Sequence, residues 1–256
     1  MISLLIILLF KFLVVQQYTL PDFNNHHYKS CLIKDGQVFI PLRGGIFELT
    51  SETFFIAPNN ESKFLLLSED KRQDKLYTVL KSQDSTYLSI SSLSGAEHKH
   101  LVDGDAFKIN IGDSITLISS ISKDGSCVYV CEEDDTIAKL LELNDLVITD
   151  MSSRKDLAYF LINDALFAFN LETNEYLELF QISNKPSGIA AISDDLLLIS
   201  NNKGLLLYNL DSKKKAKFIE TEEYGSLTQM DDVVILHSYK SSTIFILDKE
   251  KLINEY

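Results

Sequence analysis

The sequence predicts an all-β fold, a six-bladed β-propeller of four-stranded antiparallel blades. Three observations carry this prediction. Short runs rich in β-branched and aromatic residues come in pairs around tight polar turns. The pairs return at an interval near 38 residues, the length of one small sheet. The runs are almost continuously apolar, as in Leu196–Ile199 and Leu205–Tyr208, which is the pattern of strands covered on both sides.

In chain order, the first element is the apolar stretch "MISLLIILLFKFLVVQQ". About fourteen apolar residues match the core of a signal peptide and fall short of the ~20 needed to span a bilayer. Residues 1–17 therefore read as a secretory signal peptide, removed between Val15 and Tyr18. An uncleaved anchor or a buried first strand are the other readings, because Lys11 interrupts the run and no basic residue precedes it. Residues 18–256 then form one propeller domain, with Leu20–Tyr28 offering a strand to close the ring.

The repeats are anchored at the turn before each first apolar strand: Gly36, Asp74, Asp124, Asp156, Asp194 and Asp231. The spacings are 38, 50, 32, 38 and 37 residues, and "FKINIGDSITLIS" in the long interval reads as extra strand material. Around each central hairpin lie two weaker runs, such as "SGIAAIS" before and "AKFIET" after, giving four strands per repeat. A single four-stranded sheet shields neither of its faces, and stacking such sheets around an axis shields both. The recurring acids Asp156, Asp194 and Asp231 read as turn caps, since catalysis needs one site rather than one per repeat. "DDTIAKLLELNDL" from Asp134 fits a helix and a strand hairpin equally well.

Charge narrows the function classes. The net charge of −13 repels phosphate backbones and anionic lipid, which argues against nucleic acid and against membrane binding once a signal is removed. Cys127 and Cys131 lie about 13 Å apart along one strand at ~3.3 Å per residue, too far to pair with each other. In an oxidising compartment Cys31 could bridge to Cys127 or Cys131, and otherwise all three are small buried apolar groups. Asn60 begins an Asn-Glu-Ser glycosylation triplet.

No cluster specifies a reaction. There is no nucleophile elbow, phosphate loop or dinucleotide fingerprint. His26, His27, His98 and His100 read as surface-loop histidines, and Glu132–Asp135 as a solvated hairpin tip without calcium-loop spacing. Lys213, Lys214, Lys215 and Lys217 read as a charged edge that discourages strand pairing between molecules. No metal, cofactor or catalytic residue is expected.

The hairpin repeat resembles the β-propeller superfamily over nearly all of residues 18–256. The WD-repeat signature is missing, for the chain has no Trp. The metal-binding motif of six-bladed gluconolactonase-like propellers cannot be placed on it. The signal-like start, "CLIKDGQVFI", "GGIFEL", "NDALFAFN" and "KGLLLYNLD" together resemble secreted insect propellers of the ommochrome-binding type. That resemblance implies an extracellular carrier of an aromatic pigment or related metabolite. The first reading is thus a secreted, non-catalytic, monomeric propeller that binds a small apolar or aromatic ligand, or a partner, at one face. A protein-interaction scaffold is the alternative, and a metal-dependent hydrolase or lactonase the third reading.

Overall fold

The structure, a computed structural model, describes residues 10–20, 30–58, 63–83, 85–92, 95, 97–113, 115–132 and 134–254. It is an all-β propeller of six blades, each an antiparallel sheet of four strands. The first strand in the chain, β1 (Val14–Thr19), belongs to the last blade. Blade 1 is β2 (Leu32–Lys34), β3 (Gln37–Leu42), β4 (Gly45–Glu48) and β5 (Thr53–Ile56). Blade 2 is β6 (Lys63–Asp70), β7 (Lys75–Ser82), β8 (Ser85–Ser92) and β9 (Glu97–Val102). Blade 3 is β10 (Asp105–Ile111), β11 (Thr116–Ser122), β12 (Gly125–Cys131) and β13 (Ile137–Asn144).

Blade 4 is β14 (Ile148–Arg154), β15 (Leu157–Ile162), β16 (Ala165–Asn170) and β17 (Glu175–Gln181). Blade 5 is β18 (Pro186–Ala191), β19 (Leu196–Asn201), β20 (Gly204–Asn209) and β21 (Lys214–Glu220). Blade 6 joins β22 (Gly225–Met230), β23 (Val233–Ser238) and β24 (Thr243–Asp248) to β1, and a short helix α1 (Lys249–Asn254) follows. The chain packs as two compact units, one holding blades 1 to 3 and the other blades 4 to 6.

Burial follows strand position. The three strands nearest the core carry the continuous apolar runs: all six residues of β19 and all six of β20 are buried. The fourth strands β17 and β21 are mostly exposed, and β21 carries a run of lysines. A charged outer strand leaves its free edge unattractive to another chain. Between blades 5 and 6, Leu196, Leu198, Leu205 and Leu207 pack with Leu227, Val234, Leu236 and Leu247. The approach of β18 to β22 is so close that a Cβ on Gly188 would lie 2.2 Å from the Gly225 carbonyl oxygen. Only glycine fits there.

The inner strands share a device that the apolar pattern hides. In β6, β10, β14 and β18 the register slips by one residue at Phe64/Leu66, Ala106/Lys108, Ile148/Asp150 and Pro186/Gly188. A bulge at the same place in successive blades bends each inner strand alike and re-aims the next side chain. The Ile189 and Ala191 amides donate to Asp150 Oδ2 (3.1 Å) and Ser152 Oγ (2.9 Å) of the preceding blade. In the other unit the Leu67 amide donates to Ser30 Oγ at 2.9 Å. These bonds satisfy inner-edge amides that no fifth strand reaches.

Several sequence expectations are corrected. The 50-residue interval is a mis-anchoring. Asp124 lies in the turn between β11 and β12, whereas the equivalent first turn of blade 3 holds Asp113, 39 residues after Asp74 and 43 before Asp156. "FKINIGDSITLIS" is simply β10 and β11. The ambiguous segment from Asp134 folds as strand β13 because β12 offers it a full ladder of partners. The strand completing blade 6 is Val14–Thr19, just upstream of the expected segment. Residues 21–29 lie outside the described residues.

Among the turn acids, Asp194 acts differently from the expected cap. The main-chain carbonyls of Asp156, Asp195 and Asp232 accept the amides of Leu171, Leu210 and Lys249. The Asp194 carboxylate binds Arg154 and Lys155 instead of capping a turn. In blades 4 to 6 a side chain caps the turn after the third strand, as others do elsewhere, such as Asp70 after β6 and Asn201 after β19. Asn170 Oδ1 accepts from Glu172 and Thr173, Asn209 Oδ1 from Ser212, and Asp248 Oδ1 from Lys251. These three positions recur at 39 residues.

Candidate functional site

A cleft opens between the outer parts of blades 4 and 5. Blade 4 contributes Phe180 and Gln181 from β17 and the connector residues Ile182, Ser183 and Asn184. Blade 5 contributes Asn201 from the end of β19, Lys203 from the turn that follows, Leu206 from β20, and Lys215 and Phe218 from β21. The cavity has a volume of about 210 Å³. The connector is tied to the turn by the Asn202 amide, which donates to the Asn184 carbonyl at 3.1 Å.

The floor is packed and apolar. Phe180 stacks on Tyr208 with ring centroids 4.0 Å apart and planes 23° from parallel. Leu206 and Tyr208 belong to a buried cluster with Leu166, Ile189, Leu197 and Ile199. Burial pushes the Tyr208 hydroxyl pKa upward, so it stays a neutral phenol. Phe218 stands at the opposite wall, 45% exposed.

A bulge decides which side chains reach the cleft. On β21, Phe218 pairs with Leu206 and Lys215 pairs with Tyr208, the register slipping between Leu207 and Tyr208. Directly opposed residues share a sheet face. Without the slip, strict alternation would put Phe218 and Lys215 on opposite faces. With it, both join Leu206 and Tyr208 on the face toward blade 4. The lysine run is thus divided. Among the described residues, Lys203 and Lys215 form no ion pair, and no Asp or Glu lines the cleft.

The residues singled out in the sequence do not assemble into a site. Cys31 lies in blade 1 before β2, and Cys127 and Cys131 lie on β12. All three are buried free thiols. Burial pushes the Cys31 thiol up to about 12. His98 and His100 sit on strand β9 rather than in a loop, two apart in register opposite Ile90 and Leu88. Among the described residues no group of three or more His, Cys, Asp and Glu side chains could hold a metal ion. Asn60, His26 and His27 lie outside the described residues. At the Glu132–Asp135 turn, Thr136 donates to Asp134 through its hydroxyl (2.7 Å) and amide (3.1 Å), which holds that carboxyl below its usual range. Asp135 is no free tip residue: it meets Lys75 of blade 2 at 2.5 Å.

A second polar cluster is structural. Asp150 is fully buried. Its Oδ1 accepts the Met151 amide at 2.9 Å, and its Oδ2 accepts the Ile189 amide at 3.1 Å, the Leu227 amide at 3.2 Å and the Ser226 hydroxyl at 3.2 Å. One carboxylate therefore joins the inner strands of blades 4, 5 and 6. Sequence reading missed it because Asp150 lies in "ITDMSSR", which has no turn or motif signature.

No family model and no curated protein sequence matches this chain. Solved structures do match in shape. A chain of a nidogen/laminin complex aligns at TM-score 0.63 and 13% identity, covering 84% of this chain and 90% of its own. A chain of a mitotic checkpoint complex aligns at 0.59 and 11%, covering 91% and 82%. Virginiamycin B lyase from Staphylococcus aureus aligns at 0.56 and 11%, covering 91% and 98%. At such identities the likeness establishes the β-propeller fold and nothing about activity.

Proposed function

We propose that this protein is a secreted, non-catalytic binding propeller that takes a small apolar or aromatic ligand in the cleft between blades 4 and 5. The observation that carries the reading is the pairing of a fixed aromatic floor, Phe180 on Tyr208, with the exposed ring of Phe218. Such sites supply apolar area from rings and orientation from a few polar groups, here Asn184, Asn201 and Gln181. The resemblance to secreted insect carriers agrees with an aromatic ligand and with an extracellular address. The test is ligand-observed NMR with a mixture of single-ring aromatic compounds. Binding should occur to the wild type and be lost in Phe218→Ala, whose exposed position leaves folding intact. Equal signals from both proteins, or none from either, would sink the reading.

A protein-interaction propeller is the second reading. Tyr176 and Leu177 stand 71% and 62% exposed side by side on β17, and two of the structural neighbours come from multiprotein complexes. Exposed aromatics of this kind anchor interfaces.

A further inference from the structure

The cleft's charge goes beyond the aromatic reading on which this inference rests. We infer that the ligand is a single-ring aromatic anion, held by Lys203 and Lys215 at its charged group and by Phe180 and Phe218 at its ring.

Size sets the ring count. A dry cavity of about 150 Å³ holds one benzene molecule. The cleft, at about 210 Å³, admits one ring with a substituent.

Charge sets the substituent. The chain carries a net charge of −13, so an anion approaching an average part of its surface is repelled. Here the balance is locally reversed. Two lysines reach the cleft from separate elements, the β19–β20 turn and the bulged strand β21, and no carboxylate accompanies them. Neither lysine has an ion-pair partner among the described residues. What sets them apart from other surface lysines is their place: two cations beside the exposed ring of Phe218 and the half-buried ring of Phe180, with no acid in the lining, form a cationic rim on an apolar floor. The cleft offers the same Lys203 and Lys215 no internal counter-charge, and a bound carboxylate would provide one.

The experiment compares two probes of equal size by fluorine NMR relaxation: 4-fluorobenzoate, which is anionic, and 4-fluorobenzamide, which is neutral. The wild type should bind the benzoate about five- to tenfold more tightly, the gain of two partly exposed charge contacts. Raising the salt from 0.05 to about 0.5 M should shrink the gap, and the double variant K203Q/K215Q should abolish it. Equal affinity for both probes in the wild type would overturn the anion inference and leave the aromatic cleft standing. Failure of both probes to bind would overturn the cleft itself. A preference that survives K203Q/K215Q would place the anion elsewhere and overturn the assignment of these lysines.

Discussion

The main-chain amide of Leu227 donates to the carboxylate of Asp150 at 3.2 Å, across 77 residues of sequence. The same oxygen accepts from Ile189 and Ser226. A buried acceptor shared this way is costly to remove, because each amide left behind keeps its desolvation penalty. Asp150→Ala leaves several buried donors unpaired, each worth about 1–3 kcal/mol, and is therefore expected to destabilise the protein by about 3 kcal/mol or more. Urea unfolding followed by circular dichroism measures this, and a loss under 1 kcal/mol would contradict the hub assigned to Asp150.

Asn170 and Asn209 each turn the chain after a third strand by accepting amides two or three residues on. Asn170→Ala and Asn209→Ala should each cost about 1 kcal/mol. They occupy different blades and share no partner, so the double variant should lose close to the sum. Strong non-additivity in the urea midpoints would show that the two turns are coupled.

Phe10 and Leu13 lie in the core of blade 6 with Phe245, Leu247 and Leu252, and β1 completes its sheet. A chain beginning at Tyr18 lacks both side chains and four of the six residues of β1. It should unfold at a clearly lower urea concentration than the full chain. Leu13→Ala alone should cost about 2–5 kcal/mol. Terminal sequencing of material from a secretory host, with both midpoints measured, tests whether a cut near Val15–Tyr18 is compatible with the blade.

The fold holds protons on buried thiols and phenols. Cys31 and Tyr159 are each pushed up to about 12 by burial, and Cys127, Cys131 and Tyr129 are raised for the same reason. In the unfolded chain these groups ionise near their ordinary values of about 8.5 for Cys and 10 for Tyr. The native state then binds more protons than the unfolded one, so stability falls as pH rises. Their contribution should be complete below pH 8 and be lost between about pH 9 and 12. Chemical denaturation across that range is the check, and a flat profile would refute it.

Thiol labelling adds an independent readout. The three cysteines are buried and free. An alkylating reagent at pH 8 should modify none of them in the native protein and all three after denaturation without a reductant. A single modified site in the denatured sample would reveal a disulfide.

The hairpin period was legible because apolar runs and polar turns alternate along the whole chain. Its phase was less so. Asp113 and Asp124 both follow strand-like runs, and composition does not say which turn opens a blade. The bulges left no trace, since a one-residue slip between Leu207 and Tyr208 changes no residue type. That slip decides the cleft: it separates Lys215 from Lys217 and puts Lys215 beside Phe218. Alternation alone groups the lysines as one charged edge. Asp150 was hidden for a related reason, because its partners are amides of two other blades. The 39-residue recurrence of Asn170, Asn209 and Asp248 was readable, and points to three turns that are side-chain capped.

Strand β1 meets β24 through pairs such as Val14 with Leu247. During synthesis at ~5–20 residues per second, the ribosome reaches Leu247 some ten to fifty seconds after Val14. For that whole interval the nascent protein carries a sticky ribbon whose mate does not yet exist. A chaperone that covered that ribbon would have to hold it until β24 has been made.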